Sequence, residues 1–183
     1  MSRSYKFHNP EGWYFVSFAT VFWLSVFTRR LYKDCIFKHL KFCIEEKGMV
    51  LGAWIIMSNH VHLIFRAKEK NPQRLLQSFK SSTAKELIEL IKTNPQESKR
   101  ERYIWFMQLA AKRNKTTKND IQFWQQHNKP IELWSNDAIQ KNLNYIHNNP
   151  VVSGEVAEPH HYLYSSAIDY AGGKGFLDVH LMV

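Results

Sequence analysis

With 183 residues, 44% of them hydrophobic and 14% aromatic, and with only 7 Gly and 6 Pro, the chain has the make-up of one globular domain, which excludes a disordered or fibrous polypeptide. A formal net charge of +9 and an isoelectric point near 9.5 favour polyanionic partners, nucleic acid ahead of an anionic membrane surface. Two cysteines, Cys35 and Cys43, are too few for a disulfide framework, so reduced thiols in a cytoplasmic protein are expected.

The apolar stretch Trp13 to Phe27 is short for a membrane span, and Thr28-Arg29-Arg30 behind it lacks a small-residue cleavage pattern. Its β-branched and aromatic content predicts a central strand over Trp13 to Thr20 that runs into a loop. A helix follows over roughly Lys33 to Lys47, with Gly48 as its stop. On that helix Cys35 and Cys43 lie about 12 Å apart, beyond disulfide reach. Cys35, His39 and Cys43 stack at i, i+4 and i+8, a spacing compatible with a metal face. Ile36, Leu40 and Ile44 run beside them, so a helix packing small hydrophobic side chains is the expected reading.

Strands near Met49 to Met57 and His60 to Arg66 form a hairpin around a polar turn at Ser58-Asn59. A second helix spans about Pro72 to Lys92. Pro72 suits its first turn, Leu76, Phe79, Leu87, Ile88 and Ile91 form its apolar stripe, and Lys80 and Lys85 lie on another face. The stretch from Thr93 to Asp120 is the least patterned and strongly basic, and reads as an insertion within a single domain covering 1–183. It offers either a solvated face or a phosphate-contacting surface. Within it, Tyr103 to Ala111 fits a strand or a short helix, and a fourth strand belongs near Tyr103 to Leu109 or near Lys129 to Leu133. The order strand, helix, strand, strand, helix predicts an α+β fold: a ferredoxin-like, RRM-like antiparallel sheet with helices on one face. A last helix opens at Ser135-Asn136-Asp137 and is closed by Pro150.

Two features carry chemistry. In His60-Val61-His62 the alternation of a strand puts both imidazoles on one face, about 7 Å apart along the chain. There they either converge on one metal ion or serve as satisfied polar residues at a strand end. On the last helix Ile139, Leu143 and Ile146 form the core stripe. Tyr145 points about 130° away from its middle, with Asn149 one turn further on the same side. An ordinary half-exposed tyrosine explains that placement as well as a functional one does.

Met57-Ser-Asn-His-Val-His-Leu-Ile64 resembles the histidine-hydrophobe-histidine (HUH) motif of the IS200/IS605-type Y1 transposases. Asn144-Tyr-Ile-His-Asn-Asn-Pro-Val151 resembles the tyrosine helix of their REP-associated branch, and Glu158-Pro-His-His-Tyr-Leu-Tyr-Ser-Ser-Ala-Ile-Asp-Tyr170 is similar to the block that follows it there. Phe79-Lys80 and Trp124-Gln125 also fit, so the likeness runs from about Trp13 to Tyr170. The resemblance implies metal-dependent cleavage and joining of single-stranded DNA through a 5′-phosphotyrosine, with Tyr145 as nucleophile on a C-terminal helix. It implies His60, His62 and Asn149 as ligands of Mg²⁺ or Mn²⁺, DNA hairpins as partners, no membrane association, and either a monomer or a homodimer. Two imidazoles and an amide make an open neutral site, without the closed tetrahedral set of structural zinc. Lys80, Lys85, Lys112, Arg113 and Lys115 are the basic residues expected near phosphates, and Trp124 is a candidate for stacking unpaired bases or for core packing. The competing class is a single-stranded DNA- or RNA-binding module that keeps the fold without the chemistry. The joint presence of His60, His62, Tyr145 and Asn149 argues against it. A replication initiator or relaxase would need more chain than this.

Overall fold

The structure, a computed structural model, describes residues 6–114 and 120–182. Its elements, in chain order, are β1 (Tyr14–Ala19), α1 (Arg30–Glu46), β2 (Met49–Ile56), β3 (His60–Ala67), α2 (Pro72–Thr93), α3 (Arg100–Arg113), β4 (Ile131–Glu132), α4 (Asn136–Val152) and α5 (Ala167–Tyr170). The strands form one antiparallel sheet in the order β2-β3-β1-β4, the ferredoxin-like arrangement expected from the sequence. Among the described residues no helix is long and apolar enough to cross a membrane. The apolar stretch Trp13 to Phe27 is β1 followed by two short 3₁₀ turns.

Alternation along the strands divides the core in two. Val16 and Phe18 of β1, Trp54 and Ile56 of β2, and Val61, Leu63 and Phe65 of β3 face α1 and α2 and form the larger cluster. Helix α1 joins it through Tyr32, Cys35, Ile36, Leu40 and Cys43, and α2 through Leu75, Leu76, Phe79, Leu87 and Ile91. Phe15, Ala53, Ile55 and Ile64 point the other way and pack against Leu143 and Ile146 of α4. The helices thus lie on both faces: α1 and α2 on one, the tyrosine helix on the other.

Local signals explain most element ends. Gly48 takes φ +68° just past α1, where a side chain would be strained. Asn71 caps α2 by accepting from the Arg74 N–H at 3.0 Å, with Pro72 in the first turn. Gly52 sits where the β2–β3 register shifts, and a Cβ there would collide with Met182 Sδ.

Two open alternatives are settled and one expectation needs correction. Tyr103 to Ala111 lies inside α3, whose buried Tyr103, Met107 and Ala111 fall at helical spacing. The fourth strand is therefore the later candidate, and only Ile131–Glu132 pair with β1. Pro150 does not close α4. The helix continues to Val152, because proline's fixed φ is itself helical and its carbonyl still accepts, and it ends where Gly154 takes φ +74° and Glu155 N–H reaches the Pro150 carbonyl at 2.8 Å.

Candidate active site

Strand β3 and helix α4 meet over the second face, and their polar residues line one cavity of about 570 Å³. His60, His62, Tyr145 and Asn149 lie there together with Ser17, Trp23, Lys129 and Lys141. The two imidazole centroids are 4.7 Å apart, closer than the strand spacing requires, so the rings lean toward each other. The Tyr145 ring stands edge-on to His62 at 5.2 Å and to Phe15 at 5.9 Å. Residues 83 positions apart in sequence are brought together within one chain, since α4 packs on its own sheet.

The histidines differ in environment. His62 is 3% exposed, stacks on Phe15, and among the described residues neither of its ring nitrogens has a hydrogen-bond partner. Burial, with His60 beside it, pushes its pKa down to about 3, so the ring is neutral. His60 is half-buried, with Nδ1 2.6 Å from Asn59 Oδ1. That contact requires a proton on Nδ1 and leaves Nε2 as a lone-pair donor. Burial lowers the His60 pKa, and a hydrogen bond with the Asn149 side chain opposes the shift. An imidazole buried with both nitrogens unpaired costs free energy that a bound cation would recover. The donor set of His60, His62 and Asn149 therefore fits a divalent metal. Tyr145 is 53% exposed, at the mouth of the same cavity, where a polymeric substrate can reach its hydroxyl.

Residues outside the candidate metal set hold α4. His147 turns away from the cavity and is buried, its Nε2 2.9 Å from Ser166 Oγ, and burial holds its pKa down to about 4. Ser166 Oγ also accepts from the Trp54 N–H at 3.0 Å, and Tyr162 donates to the Ile56 carbonyl at 2.9 Å. The block after α4 thus seals the outer edge of β2 and ties the tyrosine helix to it. Trp23 is the other addition. It and Phe22 have φ near +55° and +52°, a costly conformation for bulky residues, and its indole stands 6.0 Å from His60.

The expected DNA contacts divide. Lys85, Lys112 and Arg113 are exposed. Lys80 is turned inward: its ammonium donates to the Gln125 carbonyl and Asn128 Oδ1, and burial lowers its pKa to about 8. It fastens the segment that flanks β1. Of the two roles open to Trp124, the structure shows core packing. It is buried against Phe18, Phe27 and Phe123, with its indole N–H on Thr83 Oγ1. Lys115 lies outside the described residues.

Comparison with known proteins bears on this geometry. No curated protein matches the sequence. Among solved structures the chain is similar to a REP-associated tyrosine transposase bound to a REP hairpin, at 15% identity and a TM-score of 0.59, over 100% of this chain and 95% of that one. At that identity the likeness speaks for the fold. The profile described as "Transposase IS200 like" matches residues 18–109, which take in the histidine pair and stop before α4. Because that match spans half of the sequence, the chain belongs to the IS200-like transposase family.

Proposed function

We propose that this protein cuts and rejoins single-stranded DNA through a covalent 5′-phosphotyrosine on Tyr145, with Mg²⁺ or Mn²⁺ held by His60, His62 and Asn149. The observation that carries the reading is the convergence of these four residues on one cavity, with His62 buried and unpartnered beneath an exposed Tyr145.

A free phenol has a pKa near 10 and is a poor nucleophile at neutral pH. Bound by the two imidazoles and the amide, a divalent cation supplies Lewis-acid neutralisation of the scissile phosphate. The chain's own groups do the rest. Lys141 and Lys129 at the cavity wall supply positive charge for the phosphodiester, and α4 fixes the line of attack. The Tyr145 oxygen bonds to phosphorus and the phenolic proton leaves to solvent. The bond to the 3′-oxygen breaks, and that oxygen departs as a 3′-hydroxyl after taking up a proton. One phosphodiester is exchanged for another, so a second 3′-hydroxyl can reverse the step and join strands. Exposed Lys85, Lys112 and Arg113 are the proposed phosphate contacts outside the cavity. The substrate proposed is single-stranded DNA carrying an imperfect hairpin, in keeping with the hairpin bound by the structural neighbour.

The test is an SDS-resistant adduct between the protein and a hairpin-bearing oligonucleotide in the presence of manganese or magnesium. Tyr145→Phe should abolish the adduct and leave DNA binding nearly intact. Adduct persisting in the Phe variant would remove Tyr145 as nucleophile, and an adduct that forms equally well in EDTA would remove the metal.

A further inference from the structure

On the opposite face of the sheet, between α1 and α2, lies a second cluster of ligating groups. Cys35 and His39, one turn apart on α1, meet Glu86 of α2, and one ligand atom from each lies within 4.8 Å of the other two. Sequence reading saw Cys35 and His39 but paired them with Cys43, which cannot see that α2 delivers a carboxylate instead. We propose that Cys35, His39 and Glu86 form a metal site for zinc or a similar borderline-soft divalent cation, separate from the His60/His62 cavity.

The contacts around His39 orient its ring toward the cluster. Ser82 Oγ lies 3.3 Å from His39 Nδ1 and 3.1 Å from the Phe79 carbonyl, and holds the imidazole from behind. Nε2 faces Glu86 Oε2 at 2.9 Å, with one ring proton shared between them in the metal-free chain. A metal ion would take the place of that proton, and the Cys35 sulfur adds a third donor on the same side. A sulfur, an imidazole nitrogen and a carboxylate oxygen are the donor types zinc selects, and three protein ligands plus water complete its tetrahedron. Ser82 would then play the orienting part that a hydrogen-bond partner usually plays behind a ligating histidine.

Cys35 is 4% exposed, and burial, with Glu86 nearby, raises its thiol pKa to about 12, so without a cation it stays protonated. Binding would release that proton to solvent. His39 and Glu86 are only half-buried, which leaves an entry path from the surface. Glu86 also accepts from Lys38, and that pairing can persist through the carboxylate oxygen not facing the imidazole. Bridging α1 to α2, the ion would brace the helix layer beneath the sheet and stabilise the native state by mass action.

Cadmium titration of the wild-type chain tests this, because a thiolate-to-cadmium charge-transfer band in the ultraviolet cannot come from the His60/His62 cavity, which has no sulfur. One equivalent should produce the band. Cys43→Ser should keep it, Cys35→Ser should lose it, and Ser82→Ala should weaken zinc binding about 10- to 100-fold. No band at stoichiometric cadmium, or a band that survives Cys35→Ser, overturns the site. The first of these leaves only the His39–Glu86 hydrogen bond. Neither result bears on the Tyr145 adduct.

Discussion

The two faces of the central sheet are made by the same strands and differ in what those strands bury. Toward α1 and α2 every inward position of β3 is apolar: Val61, Leu63 and Phe65. Toward α4 the same strand offers Ile64, then His62, then His60. Ile64 is closed over by Leu143 and Ile146, whereas the histidines are left under a cavity, and among the described residues neither ring nitrogen of His62 has a partner. The contrast teaches where the molecule keeps its stability and where it gives some up. A sheet with both faces as apolar as the first would be firmer and chemically inert. The polar end of the second face is tolerated because the larger cluster holds the strands in place regardless.

The sharpest way to break this contrast is to make the second face resemble the first. His62→Leu should reduce metal-dependent adduct to background. It should also raise Tm, since removing an unpartnered imidazole recovers about 1–3 kcal/mol, or about 2–4 °C per kcal/mol in a chain of this size. A lower Tm would show that the imidazole is well satisfied without metal, and the contrast would fall. The converse substitution is Leu63→Ala, one position along the strand and fully buried on the other face. It should cost about 2–5 kcal/mol in urea unfolding while adduct yield per folded molecule stays unchanged. A cleavage defect at temperatures where Leu63→Ala remains folded would mean that the first face shapes the site directly.

Acid should act through the α4 face as well. An unfolded histidine titrates near 6.5, and buried His147 is held down to about 4. Below pH 6.5 the unfolded chain therefore binds a proton that the folded chain refuses. The stabilisation is present above that pH and is lost as pH falls toward 4, roughly 3 kcal/mol in all by linkage. His62 acts in the same sense, with its folded pKa lower still. Urea midpoints measured downward from neutral pH should fall, and His147→Gln, which can keep a hydrogen bond to Ser166, should fall less steeply. Equal slopes for the two proteins would show that His147 is charged in the folded state.

What the sequence disclosed follows the same division. The alternation in Val61 to Phe65, the Gly48 stop and the off-stripe position of Tyr145 are local patterns, and each was legible because a strand or helix has a fixed period. The fourth strand was not, since two paired residues leave no period to read. Pro150 misled because its fixed φ is itself helical and does not by itself end the helix. Residue type assigns Lys80 to DNA and leaves Trp124 between base stacking and core packing. Their actual roles, a clamp on Gln125 and Asn128 and a core indole on Thr83, depend on neighbours about 40 residues away. The tie from His147 through Ser166 to β2, and the arrival of Glu86 beside Cys35 and His39, are of the same kind. Contacts between distant segments are set by the packed fold, and single-segment patterns do not encode them.

The smallest effect concerns how firmly α4 is held. Ser135 has extended backbone angles and its hydroxyl accepts from the Ala138 N–H at 3.2 Å, capping the helix that carries Tyr145. Ser135→Ala should cost about 1 kcal/mol, seen as a small drop in Tm. Tyr145 stands well inside the helix, between Leu143 and the Ile146–His147 pair, and those side chains anchor it to the sheet and to Ser166 whatever happens at the first turn. Adduct formation at temperatures well below the transition should therefore match wild type. A cleavage loss larger than the stability loss would mean that the phenol is aimed from the start of α4, and that the His147–Ser166 tie at its far end is secondary.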